Sequence, residues 1–137
     1  MKKAIIITVS LILLLLSLTA CNNSGSIKNC ERSISESALY TEKEINSLMD
    51  IVAAYFKAEF KGCELKELVY DEEASDKQSA EWAQQYDADK AIVFTSSFYV
   101  SHTGGDGSLN QDYTYKNWSW ILTQTDNENW VLRTWGY

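Results

Sequence analysis

Ala91-Ile92-Val93-Phe94-Thr95-Ser96-Ser97-Phe98-Tyr99-Val100-Ser101-His102 is the stretch whose reading decides the fold. Ile92, Phe94, Phe98 and Val100 fall on one side, and Val93, Thr95, Ser97 and Tyr99 on the other. Such a period of two predicts a long strand, because successive side chains of extended backbone leave on opposite faces. His102-Thr103-Gly104-Gly105-Asp106-Gly107-Ser108 then reads as a long turn. Tyr113 to Gln124 returns as a second strand, with Trp118, Trp120 and Leu122 on one face and Tyr113, Tyr115 and Ile121 on the other. Asp126-Asn127-Glu128-Asn129 turns again, and Trp130 to Tyr137 closes the chain as a third strand. Three strands joined by turns predict an antiparallel meander. Aromatics on both faces imply that the second face meets a cavity, a helix or another subunit.

Working back from there, Ser75 reads as the N-cap of a short helix to about Tyr86, with Ser79, Trp82, Ala83 and Tyr86 facing inward. Asp71-Glu72-Glu73 and Asp76 sit at its start, where a helix N-terminus favours negative charge. Glu64 to Tyr70 alternates imperfectly, as expected of a strand at an edge or with a bulge. Before it, Thr41-Glu42-Lys43-Glu44 has the spacing of a capping box. Ile45, Leu48, Met49, Val52, Phe56 and Phe60 then recur at steps of three and four, and Gly62 suits a left-handed position just past the helix end. This order predicts an α+β domain over residues 40–137: a long N-terminal helix and a short second helix packed on a curved antiparallel sheet of about four strands.

Residues 1–20 read as a secretory leader, with Lys2 and Lys3 followed by an apolar run from Ala4 to Leu16. That run covers about 20 Å as a helix, short of the roughly 30 Å hydrocarbon core of a bilayer. Leu18-Thr19-Ala20-Cys21 looks like the lipobox of bacterial lipoproteins. Its cysteine thiol is the group that takes a diacylglyceryl chain and becomes the new N-terminus. Two long acyl chains anchor stably where one gives marginal binding. The expected location is the outer face of the cytoplasmic membrane, held by lipid on Cys21. Residues 21–39 are polar and read as a flexible linker behind it.

The remaining cysteines, Cys30 and Cys63, are a candidate disulfide outside the cell. A bridge would close a loop of about 34 residues and stabilise by roughly 3 to 4 kcal/mol in the chain-entropy model. The alternative is two free thiols. A formal net charge of −7, more negative once Lys2 and Lys3 leave with the leader, argues against nucleic acid as a partner.

Tyr40-Thr41, Phe60-Lys61-Gly62-Cys63, Tyr70-Asp71, Asn117-Trp118-Ser119-Trp120-Ile121-Leu122 and Thr134-Trp135-Gly136-Tyr137 resemble a family of small lipoproteins from Gram-positive anaerobes. That family carries a domain of unknown function and is similar to the cone-shaped fold of nuclear transport factor two and the polyketide-cyclase-like proteins. The resemblance covers about Tyr40 to Tyr137. It implies a pocket between helix and curved sheet, which holds acid/base enzymes in some members of the wider fold and nothing catalytic in many others.

Chemistry-bearing motifs are sparse. His102, the only histidine, lies at a strand end beside the glycine-rich turn and is expected to be exposed. Asp50 and Glu59 fall off the apolar stripe of the long helix. Asp106 to Asp112 alternates oxygen-bearing side chains, faintly like a calcium loop, but its glycine and terminal spacing do not match. Neither a G-x-S-x-G elbow nor a cysteine–histidine cluster is present. No catalytic residue, metal or cofactor is therefore assigned. The expectation is a noncatalytic binding or interaction module. Phe56, Trp118, Trp120 and Trp135 are its candidate contacts to a small apolar ligand, a protein partner or a second copy of the chain. The competing expectation is a small acid/base enzyme of cyclase or isomerase type, which needs an ionisable group inside the pocket.

Overall fold

A computed structural model describes residues 24–137. The leader and the lipidation candidate Cys21 lie outside the described residues. The elements run β1 (Glu31–Ile34), α1 (Glu42–Glu59), β2 (Cys63–Tyr70), α2 (Glu72–Gln85), β3 (Lys90–Val100), β4 (Tyr113–Gln124) and β5 (Val131–Gly136). Two helices pack on one five-stranded sheet of order β1-β2-β3-β4-β5, an α+β fold. The meander β3-β4-β5 forms as expected.

α1 is specified locally. The Thr41 hydroxyl accepts from Glu44 N–H while the Glu44 carboxylate accepts from Thr41 N–H, completing the capping box. Its stripe of Ile45, Leu48, Met49, Val52 and Phe56 is buried against Leu65, Leu68, Phe94, Phe98, Trp120 and Leu122 of the sheet. Gly62 takes φ +69° just beyond the helix, a conformation that suits a residue without Cβ.

Four expectations are corrected. First, the segment expected as a linker, 21–39, is part of the domain from Gly25 onward. Gly25 N–H donates to Lys57 O, Ser26 bridges Glu64, and β1 pairs parallel to β2, so the sheet is mixed and has a fifth strand. Second, α2 is capped by Asp71, whose side chain accepts from Ala74 N–H. Ser75 lies inside that helix, buried, and its hydroxyl accepts from Val93 N–H where β3 extends past the end of β2.

Third, the aromatics of β4 do not divide between two faces. Asn117 adopts φ +56° within an irregularity that sets Ser96 opposite Trp118 but Phe98 opposite Tyr115. The extra residue in β4 rotates Tyr115 onto the face of Trp118, Trp120 and Leu122, and its ring lies 5.5 Å from Trp118. The opposite face carries Thr95, Ser97, Ser119 and Thr134 beyond the area where α2 lies against β3.

Fourth, Cys30 and Cys63 are free thiols. The β1–β2 register, continued by one residue, puts Cys30 beside Lys66, three residues along the strand from Cys63. That is about 10 Å of extended chain, too far for a disulfide. Burial raises both thiols above their ordinary pKa.

Candidate functional site

Where the last turn of α1 reaches the outer strands, the aromatic face of the sheet is no longer covered. A cleft of about 330 Å³ opens there, lined by Tyr55, Glu59, Phe60, Asp106, Ser108, Leu109, Trp118 and Trp135. Three parts of the chain build it.

The floor comes from β4 and β5. Trp120 and Trp135 face each other across the strand pair with rings 6.2 Å apart. Trp120 is fully buried, and its Nε1–H donates to Ser96 Oγ at 2.8 Å, whereas Trp135 is 37% exposed. Tyr55 of α1 lies against Trp135 at 4.5 Å between ring centroids, and Phe60 meets Trp118 edge-on at 6.4 Å. The Trp118 Nε1–H is buried and has no hydrogen-bond partner among the described residues.

The helix end supplies Glu59 and Phe60. Burial raises the Tyr55 phenol above its ordinary pKa, and the Glu59 carboxylate adds to the rise.

The third wall is the β3–β4 loop, brought in by a glycine-to-glycine contact. Gly62 and Gly104 approach so closely that a Cβ on either would run into the backbone of the other. Ser101 N–H donates to Gly62 O and Gly105 N–H to Lys61 O, tying the loop to the turn after α1. Asp106, Ser108 and Leu109 thereby reach the cleft. Ser108 donates to Asp106 through both its hydroxyl and its backbone N–H, which holds the Asp106 carboxyl below its ordinary pKa.

Two of the four contacts expected from sequence, Trp118 and Trp135, line the cleft. Phe56 and Trp120 are wholly inaccessible and form the core beneath it. Sequence reasoning missed Tyr55, Glu59, Asp106, Ser108 and Leu109, and placed Phe60 in the core alone. The usable signal was the glycine run 104–107 opposite Gly62, two flexible points that can touch only in three dimensions.

His102 is exposed, as expected. Its Nδ1 lies 2.7 Å from Asp112 Oδ2, and Tyr99 O–H donates to Asp112 Oδ1 at 3.1 Å. The hydrogen bond that the Asp112 carboxylate accepts from the ring raises the His102 pKa and lowers the Asp112 pKa. All three side chains belong to the roots of the β3–β4 loop, away from the cleft lining, so the cluster clasps the loop.

A larger depression of about 730 Å³ follows the β1–α1 connection, but it holds one ring, Tyr40. Several of its polar groups are engaged in structure: Ser35 Oγ accepts from Glu72 N–H, Ser37 Oγ accepts from Leu39 and Tyr40 N–H, and Arg32 pairs with Asp50. The aromatic cleft, with carboxylates that form no ion pair among the described residues and with partly exposed rings at Tyr55, Trp118 and Trp135, is the better ligand site. Among the described residues no three His, Cys, Asp or Glu side chains cluster to hold a metal.

Compared with known proteins, the chain matches no family model, no curated protein and no solved structure.

Proposed function

We propose that the protein is a lipid-anchored, extracytoplasmic binding module whose ligand site is the cleft of Tyr55, Phe60, Trp118 and Trp135. The observation that carries this reading is that contrast of Trp120 and Trp135: the same face continues from a sealed core into an open, ring-lined cleft. Partly exposed aromatics with polar groups beside them are the usual makings of a small-molecule site. The carboxylates on the lining, Glu59 and Asp106, are exposed rather than enclosed, and burial raises the Tyr55 phenol further from neutrality, which favours binding over acid/base catalysis.

The anchor has a geometric consequence. If Cys21 carries the lipid, four residue steps separate it from Gly25, a reach of at most about 14 Å. Gly25 packs on Phe56, Lys57 and Phe60, the same helix end that borders the cleft. The cleft would then work close to the membrane surface.

Native mass spectrometry of the chain released from the membrane of a lipoprotein-producing bacterial host tests both parts. The reading expects an acylated N-terminal Cys21 and a small-molecule adduct that disappears in Trp135→Ala. An unacylated chain recovered equally with Cys21→Ser contradicts the anchor. An adduct that survives Trp135→Ala contradicts the site.

A further inference from the structure

The chemistry of the cleft lining limits its ligand. Four rings and Leu109 supply apolar surface, Ser108 is engaged with Asp106, and the charged groups are the two carboxylates Glu59 and Asp106. Among the described residues no Lys, Arg or His lines the cleft, and neither carboxylate takes part in an ion pair. An anionic ligand would meet two like charges and no counter-charge. A purely apolar ligand would leave both carboxylates beside it without gain.

A positive charge is complementary to the ring faces and to the carboxylates of this lining. Aromatic faces carry the negative end of the ring quadrupole and attract ammonium groups within about 6 Å of the centroid. Carboxylates at the margin add Coulombic attraction, which salt screens because both are exposed. The chain's formal charge of −7 adds a long-range field of the same sign. From this charge complementarity we infer that the cleft binds a small organic cation, an alkylammonium or quaternary ammonium group, with the rings of Trp118, Trp135 and Tyr55 around the cation and Glu59 and Asp106 as counter-charges. This inference rests on the cleft being the ligand site and names the ligand's class.

The test is isothermal titration of the full-length chain in non-ionic detergent with choline, tetramethylammonium and ethylammonium, against the uncharged choline isostere 3,3-dimethyl-1-butanol and against N-acetylglucosamine. We expect saturable binding of at least one cation, about tenfold or more tighter than the isostere. It should weaken several-fold in Glu59→Gln and in Asp106→Asn, and with added salt. Circular dichroism confirms that both variants are folded, since both positions are exposed. Equal affinity for choline and its isostere overturns the cation. So does tighter binding of the sugar, but if that binding is lost in Trp135→Ala the cleft itself stands. No saturable binding of any probe overturns the cation and leaves the site to the adduct measurement, which reads it without a chosen ligand.

Discussion

Trp120 and Trp135 are neighbours across one strand pair, on one face, with stacked rings, yet one is sealed and the other is 37% exposed. Residue type and periodicity cannot tell them apart. What differs is the surroundings: Trp120, on the inner strand β4, is enclosed by Tyr55, Phe56 and Phe60 of the α1 end and by Trp135 itself, while Trp135, on the edge strand β5, meets only Tyr55 and Trp120 among the rings. An aromatic face is therefore core or binding surface according to whether its strand lies inside the sheet under the helix or at the sheet edge.

Substitution at the two tryptophans should separate these roles. Trp120→Ala removes a wholly buried ring and its hydrogen bond to Ser96, and is expected to cost about 3–5 kcal/mol in urea unfolding. Trp135→Ala should cost less, about 2 kcal/mol, because more than a third of the side chain is already in water, and abolish ligand binding. Equal stability losses would erase the distinction.

The loop wall is sharpened by a second pair. Gly104→Ala places a Cβ against the Gly62 carbonyl and is expected to destabilise by about 2 kcal/mol or more while opening the cleft. Gly107 has φ +92° but nothing near its would-be Cβ, so Gly107→Ala should cost about 1 kcal/mol of backbone strain and leave binding intact. Thermal unfolding of both variants, with the ligand titration, checks this.

Away from the cleft, Thr41→Ala removes the hydroxyl half of the capping box. It should cost about 1 kcal/mol with no change in binding, by the same two measurements.

The smallest effect is a pH dependence. Because the folded-state pKa of His102 is raised, its pairing with Asp112 stabilises fully below the unfolded value near 6.5 and is lost as pH rises through the folded value. Asp112 has the opposite sense. Its contribution is present above the unfolded value near 3.8 and is lost as pH falls through the folded value. The clasp should therefore be most effective between about pH 4 and 6.5. Its exposure keeps the effect small. An NMR titration of His102 should show an upward-shifted midpoint that returns to the ordinary value in Asp112→Asn.

Much of the fold was legible because its signals are local. The capping box and stripe of α1, the Gly62 stop and the alternation of β3 each lie within one element. β1 was hidden because Glu31-Arg32-Ser33-Ile34 has no apolar alternation and pairs with an edge that exists only once β2 is in place. Tyr115 was assigned to the wrong face because one left-handed residue, Asn117, shifts the period of β4. Asp71 took the cap expected of Ser75 because a capping residue one turn earlier leaves Ser75 free to satisfy Val93 N–H. The cleft was half-legible: Trp118 and Trp135 stand out by type, but Glu59 and Asp106 come together only through the Gly62–Gly104 contact, 42 residues apart in sequence.

The indole N–H resonances offer the most direct test of the division between core and cleft. The chain has five tryptophans, Trp82, Trp118, Trp120, Trp130 and Trp135, and each contributes one assignable signal. On titration with choline, the account predicts saturable shifts at Trp118 and Trp135 with Trp82 and Trp130 unmoved and Trp120 changed little. Shifts centred on Trp82 or Trp130, or none at Trp118 and Trp135 while the ligand demonstrably binds, would contradict it.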